Sequence, residues 1–255
     1  MDLSELAERY DETLRVPDYA DVDASANGLQ IGPDEQSVET VAFAVDAAVE
    51  TVERAAEAGA DAMVVHHGLS WGGIERVTGQ KYRRIAPFVE NDVALYVAHL
   101  PLDGHQELGN AAGVADVLDL TDREPFGAVG GEPIGQQGVL PEATSLDTLA
   151  TLLAAELDTG GGSVRVVDEG PDHVEDVAIV TGSGADYLGA AADAGVDLLV
   201  TGEGKGKLYH EAREAGVNAV LGGHYATETF GVRSLQAMAE DWGLDTAFID
   251  CPTGL

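Results

Sequence analysis

Part of this chain is repeated within it. Val41-Ala42-Phe43-Ala44-Val45, followed by Ala55-Ala56-Glu57-Ala58-Gly59-Ala60-Asp61-Ala62-Met63-Val64-Val65, returns without a gap 136 residues later. The copy reads Val177-Ala178-Ile179-Val180-Thr181, then Ala191-Ala192-Asp193-Ala194-Gly195-Val196-Asp197-Leu198-Leu199-Val200-Thr201. Each copy has the pattern of a strand, an alanine-rich helix closed by glycine, and a second buried strand. A helix and strand follow in each half, at 81–91 and 93–98 and at 208–215 and 217–221. Strands alternating with helices of this length lie parallel and are covered by the helices. The expected fold is therefore α/β: two related domains from an internal repeat, with mostly parallel sheets flanked by helices.

At 255 residues the chain can bury a substantial core. Glycine and proline accumulate over 124–138, which puts a break between the halves. Residues 145–157 read as a helix capped by Ser145 or its neighbour, 158–163 as a glycine-rich turn and 164–167 as a strand. The helix at 227–242 and strand at 246–250 are expected to return to the first domain. The division expected is 1–125 with 223–255, carrying most candidate metal ligands, and 126–222 as the second domain.

Three apolar strands end in metal donors. Ala62-Met63-Val64-Val65 stops at His66-His67-Gly68, Leu95-Tyr96-Val97-Ala98 runs into His99 and Asp103, and Ala219-Val220-Leu221 leads to His224 and Glu228. Ligands of open α/β sheets bind outside the carboxyl ends of the strands, which is where these side chains fall. His99 and Asp103 are four apart, as are His224 and Glu228, a spacing that shares one face of a helix. Pro101 biases Leu100 away from helical geometry, so Asp103 is expected at a helix N-cap. Five donors, His66, His67, Asp103, His224 and Glu228, exceed the needs of one tetrahedral ion. With bridging carboxylates they suit two divalent metals about 3.5–4 Å apart. His99 is a further ligand, a group that orients Asp103, or a proton carrier. The donors suit iron, zinc, manganese or nickel.

Other features are weaker. Gly202-Glu203-Gly204-Lys205-Gly206-Lys207 looks like a phosphate loop without its required spacing. It occupies the place in the second repeat that His66-His67 occupy in the first, so Glu203 is a candidate to face the same site. Lys205 and Lys207 either meet a phosphate or are solvated. His210 is placed on a helix, with a surface position as its default, and His105 and His173 carry no pattern.

Charge narrows the function. Forty-six acidic residues against 13 basic ones leave −33, and the acids are scattered without a long block. Such a surface repels phosphate backbones, which argues against general nucleic-acid binding. The acid is either a cation sink or docking surface or, as its scatter favours, an adaptation to high internal salt, where screening removes self-repulsion. No apolar stretch approaches the roughly 18 residues of a membrane span. Met1-Asp2-Leu3-Ser4-Glu5 lacks a signal-peptide pattern. A single cysteine, Cys251, leaves no internal disulfide framework. A cytoplasmic protein is expected.

Asn27-Gly28-Leu29-Gln30-Ile31-Gly32, His66-His67-Gly68, His99-Leu100-Pro101-Leu102-Asp103, Thr201-Gly202-Glu203 and Gly223-His224-Tyr225-Ala226-Thr227-Glu228 occur in this order. Together they resemble the signature set of the YbgI-like dinuclear metal centre proteins, also called NGG-interacting-factor-like proteins or GTP cyclohydrolase I type 2 homologues. The resemblance covers nearly the whole chain, in the short form. It implies a pair of related α/β domains, ring-shaped homohexamers, and two metals on His66, His67, Asp103, His224 and Glu228. One departure is the acidic stretch 18–23, where many relatives carry an aromatic residue before Asn-Gly-Leu-Gln. The function expected is metal-dependent hydrolysis of a nucleotide or other small polar substrate; the alternative is a non-catalytic metal-handling or assembly protein.

The charge carries a test. The melting temperature should climb steeply between dilute buffer and molar potassium chloride, where the Debye length falls to about 3 Å. A flat response would mean that the acids are paired or serve another role.

Overall fold

The structure is a computed structural model and describes residues 1–255. In chain order the helices are α1 (Leu3–Leu14), α2 (Val49–Glu57), α3 (Gly79–Glu90), α4 (Leu100–Asp103), α5 (Asn110–Val117), α6 (Leu146–Glu156), α7 (Leu188–Ala194), α8 (Leu208–Ala215), α9 (His224–Thr227) and α10 (Thr229–Asp241). The strands are β1 (Gly28–Ile31), β2 (Thr40–Asp46), β3 (Ala62–His67), β4 (Ala94–Val97), β5 (Thr121–Val129), β6 (Glu132–Ser145), β7 (Arg165–Val167), β8 (His173–Val180), β9 (Leu198–Thr201), β10 (Asn218–Leu221) and β11 (Asp245–Phe248). The chain divides into two compact units, Met1–Leu102 with Val232–Cys251, and Asp103–Gly231 with Pro252–Leu255.

In the first unit the sheet runs β1-β4-β3-β2-β11, parallel except for the edge strand β1. Alternate residues of each strand point to opposite faces. Val41, Phe43, Val64 and Tyr96 meet Leu3, Leu6, Tyr10 and Leu14 of α1 together with Val232, Leu235 and Ala239. Ala42, Ala44, Met63, Val65, Leu95 and Val97 pack instead with Val52, Ala55 and Phe88. Both faces are covered, which is why these strands read as unbroken apolar runs.

The second unit holds a six-stranded sheet, β5-β6-β8-β9-β10-β7. Its centre, β8-β9-β10, is parallel, while β5, β6 and β7 join antiparallel, so this sheet is mixed. Val177, Ile179, Leu198, Val200 and Val220 pack with Ala111, Val114 and Ala115 of α5 and with Leu146, Leu149 and Leu153 of α6. Ser145 caps α6 through its hydroxyl, which accepts from Thr148 N–H.

The repeat extends to individual hydrogen bonds. One oxygen of Asp61 accepts from the N–H groups of Glu39 and Thr40. Asp197, its counterpart, accepts in the same way from Glu175 and Asp176. Each carboxylate ties the residues just before one strand's parallel pairing begins to the loop before the next strand.

Two expectations need correction. Residues 124–138 form most of the hairpin β5–β6 rather than a break between the halves. Pro125 is tolerated because β5 is an edge strand, and Pro133 because β6 pairs with β8 only from Gln136 onward. Gly135 is forced by close approach, since a β-carbon there would lie 2.2 Å from the Ile179 carbonyl oxygen.

The unit boundaries also move, from 125/126 and 222/223 to 102/103 and 231/232. Apolar residues of α5 and Ala226 are buried in the second core, and Gly231 N–H donates to Asn110 Oδ1 at 2.9 Å. The first unit therefore carries His66 and His67 of the candidate ligands, whereas Asp103, His224 and Glu228 fall in the second. No helix is long and apolar enough to cross a membrane.

Gly135→Ala should destabilise the protein by about 3 kcal/mol or more, because the clash is with backbone. Gly189 in α7 has open space around it, so Gly189→Ala should stabilise by roughly 0.5–1 kcal/mol. Paired urea titrations check both; equal midpoints would contradict the packing described.

Candidate metal centre

The first unit presents three imidazoles. His66 and His67 end β3, and His99 follows β4, the neighbouring parallel strand. One ring nitrogen from each lies within 4.8 Å of the others. His66 is fully buried, and its Nδ1 donates to the Ala98 carbonyl at 2.9 Å. His67 Nδ1 donates to Asp46 Oδ1 at 2.9 Å, and His99 Nδ1 to both oxygens of Asp23 at 2.9 and 3.1 Å. A carbonyl and ionised carboxylates only accept, so each neutral ring carries its proton on Nδ1 and keeps a lone pair on Nε2. Metal-binding histidines are held in this way.

A polar scaffold fixes these rings. Gln30 Oε1 accepts from Leu69 and Ser70 N–H, which holds the turn after His67. Gly68 is required there, because a β-carbon would lie 2.6 Å from both the Gln30 amide nitrogen and Val97 Cγ2. Asn27 Oδ1 accepts from His99 N–H at 2.7 Å, and its amide donates to Asp23. Burial alone would raise the Asp23 carboxyl. Hydrogen bonds from His99, Asn27 and Ser25 N–H, joined by the charge of the His99 ring when it is protonated, outweigh it and hold Asp23 below the ordinary carboxylate range. Trp71 donates to the Gly68 carbonyl at 3.1 Å and meets His99 edge-on, with ring centroids 4.9 Å apart.

In the second unit Asp103 closes the single turn of α4 and is not an N-cap. Pro101 fits because it sits in the first turn, where an N–H would have no helical partner. Asp103 Oδ1 accepts from the Asn110 amide at 2.8 Å and the Thr181 hydroxyl at 3.3 Å. His224 opens α9 and Glu228 lies just past its end; His224 Nε2 is 3.2 Å from Glu228 Oε2. Asp103 and Glu228 are both buried and bring carboxylate oxygens within 4.8 Å of each other. A β-carbon on Gly182 would lie 2.1 Å from Glu228 Oε1, so that glycine makes room for the carboxylate.

Glu203 stands 3.4 Å from His224 Nδ1 and accepts from the Ser183 hydroxyl. That hydroxyl, followed by His224, holds the Glu203 carboxyl below its ordinary range against desolvation and the charge of Glu228. Lys205 and Lys207 pair with Asp186, and His210 is exposed on α8. His105 caps its own loop, its Nδ1 accepting from Leu108 N–H at 3.0 Å. Asp23, Asp46, Asn110 and Gly182 were not singled out from the sequence. Asp46 had a signal, since it ends β2 beside His67, but Asp23 sits in an acidic stretch that resembles solvated surface.

These residues fit a metal. Two buried carboxylates this close repel one another, and a divalent cation removes that repulsion. Imidazole Nε2 lone pairs and carboxylate oxygens are the donors that first-row transition metals take. Histidine and carboxylate groups of this chain could thus bind a metal ion.

The family model described as Duf34/NIF3 (NGG1p interacting factor 3) matches residues 1–253. A "GTP cyclohydrolase 1 type 2 homolog" of Halobacterium salinarum is 62% identical over 255 residues, covering 100% of both chains. Among solved structures, the protein ybgI, described as of unknown function, has a TM-score of 0.90 at 35% identity, covering 100% of both chains. TTHA1606 from Thermus thermophilus has a TM-score of 0.90 at 39% identity, again with 100% of both covered.

Loss of an orienting group should weaken a metal site without unfolding the protein. Asp46→Ala is expected to lower metal affinity about 10–100-fold in a chelator competition, with the melting temperature of the metal-free protein unchanged. Unaltered affinity would mean that Asp46 does not orient His67.

Proposed function

The chain belongs to the Duf34/NIF3 (NGG1p interacting factor 3) family, and from that premise we propose that it is a metal-dependent hydrolase of a small polar substrate such as a nucleotide. Two divalent cations are held by His66, His67, Asp103, His224 and Glu228. The observation that carries this reading is the set of three imidazoles whose Nδ1 atoms all meet acceptors, a tautomer that puts the lone pair on Nε2, for coordination in His66 and His67 and for proton transfer in His99. The buried carboxylates of Asp103 and Glu228 support it.

Divalent cations bound in such a site supply Lewis acidity and bring the pKa of water toward neutrality. The remaining work falls to the chain. His66 and His67 are fixed by Ala98 and Asp46, so their donor atoms need little reorganisation. Asp23 holds the His99 ring in one tautomer, with the lone pair on Nε2 to take and return a proton. Asn110 and Thr181 fix Asp103. The same reading includes a cytoplasmic homohexamer adapted to high salt.

Elemental analysis of gently purified protein should find close to two metals per chain, most of them lost in His67→Ala and Glu228→Ala. His99→Gln should keep both metals yet slow hydrolysis about 10²–10⁴-fold, the usual contribution of a proton carrier. Metal content falling as far as in Asp103→Ala would make His99 a ligand. Full metal retention in both His67→Ala and Glu228→Ala would overturn the ligand assignment. A metal-replete protein that turns over no nucleotide or phosphoester would leave metal handling as the better account.

A further inference from the structure

Charge is distributed unevenly in the first unit. The fourteen residues 71–84 contain Arg76, Lys81, Arg83 and Arg84 against the single acid Glu75. This segment carries +3, while the other 241 residues hold nine basic and 45 acidic side chains. Six of those nine bases form ion pairs: Arg9, Arg15, Arg54, Arg123, Lys205 and Lys207. The four in the segment do not, although carboxylates outnumber bases more than three to one along the chain.

All residues from 71 to 84 are exposed, including large apolar ones that a surface normally buries. Trp71 is 45% exposed and Tyr82 56% exposed, with Ile74 and Val77 also open. The helical part gains nothing from these cations. Lys81, Arg83 and Arg84 lie in the N-terminal half of α3, where positive charge opposes the helix dipole, and its first turn holds no acid. Local stability is therefore given up along a stretch that begins four residues after His67.

We propose that residues 71–84 form a docking segment for a ligand with a planar ring and a phosphate group, the ring against Trp71 and the phosphate against Arg76, Lys81, Arg83 and Arg84. This deepens the hydrolase reading by naming a substrate class and the residues that hold it. Trp71 is pinned through its indole nitrogen to Gly68 and lies against His99, which places an open aromatic surface beside the imidazoles. Stacking on such a surface tolerates any planar base, and guanidinium groups match phosphate oxygens in bidentate fashion. The overall charge of −33 does not prevent this. Salt that shortens the Debye length to about 3 Å leaves distant acids unfelt, so cations in direct contact decide.

The test is calorimetric titration of metal-loaded protein with GTP, guanosine and tripolyphosphate at one fixed salt concentration. Wild-type protein should bind GTP about tenfold or more tighter than either fragment. Arg83→Gln/Arg84→Gln should weaken GTP binding about tenfold or more with metal content and melting temperature unchanged, and Trp71→Ala should weaken it as far. The proposal is overturned by wild-type protein that does not bind GTP, or by variants that bind it as tightly as wild type. It is also overturned by tripolyphosphate matching GTP, or by a change of molar mass in Arg83→Gln/Arg84→Gln, which would make the segment an interface between copies. Turnover and metal content read on the same samples separate the two claims. Unchanged GTP affinity and turnover in the variants removes the docking segment and leaves the hydrolase. Affinity lost in the variants, where even wild type shows no turnover, removes the hydrolase and leaves the docking segment.

Discussion

The hydrogen bond from His66 Nδ1 to the Ala98 carbonyl is the constraint on which the first-unit site depends. It joins the end of β3 to the residue that follows β4, so the parallel register sets where His66, His67 and His99 stand. An unpartnered imidazole N–H buried at a sheet end would cost on the order of 1–3 kcal/mol. Satisfying it with a backbone acceptor fixes the ring and its tautomer together. A slip in register would separate the rings and swap side chains between the two packed faces of the sheet. Sheet packing and donor geometry are thus one requirement.

Much of this was legible from residues alone. The repeat implied two strand–helix–strand units, and the aspartates Asp61 and Asp197 show why both copies kept the same residue after the helix. The strand-end histidines were legible because an apolar run that stops at imidazole puts donors at the sheet edge where ligands bind. The hairpin over 124–138 was hidden, because its glycines and prolines are normally turn signals. Their tolerance depends on which strand is an edge, a tertiary fact. Asp103 was misplaced for a related reason: a proline that disfavours helix before it is harmless inside a first turn.

The groups that orient the donors were least visible. Asp23 and Asp46 reach their histidines across 76 and 21 residues, and nothing local marks them. In a chain with 46 acids, one carboxylate that orients a ring looks like the many that only face water. Asp23 lies within the stretch that departs from the pattern of many relatives, yet both of its oxygens meet the His99 ring. The boundary shift has the same origin, since α5 joins the second core through side chains whose partners lie far away in sequence.

X-ray absorption at the metal edge of the loaded protein tests the central claim most directly. Two cations held by these imidazoles and carboxylates should give nitrogen and oxygen neighbours with imidazole scattering, together with a metal–metal vector of about 3.5–4 Å. A spectrum with no metal–metal vector and no imidazole scattering, at full loading, would contradict the dinuclear centre.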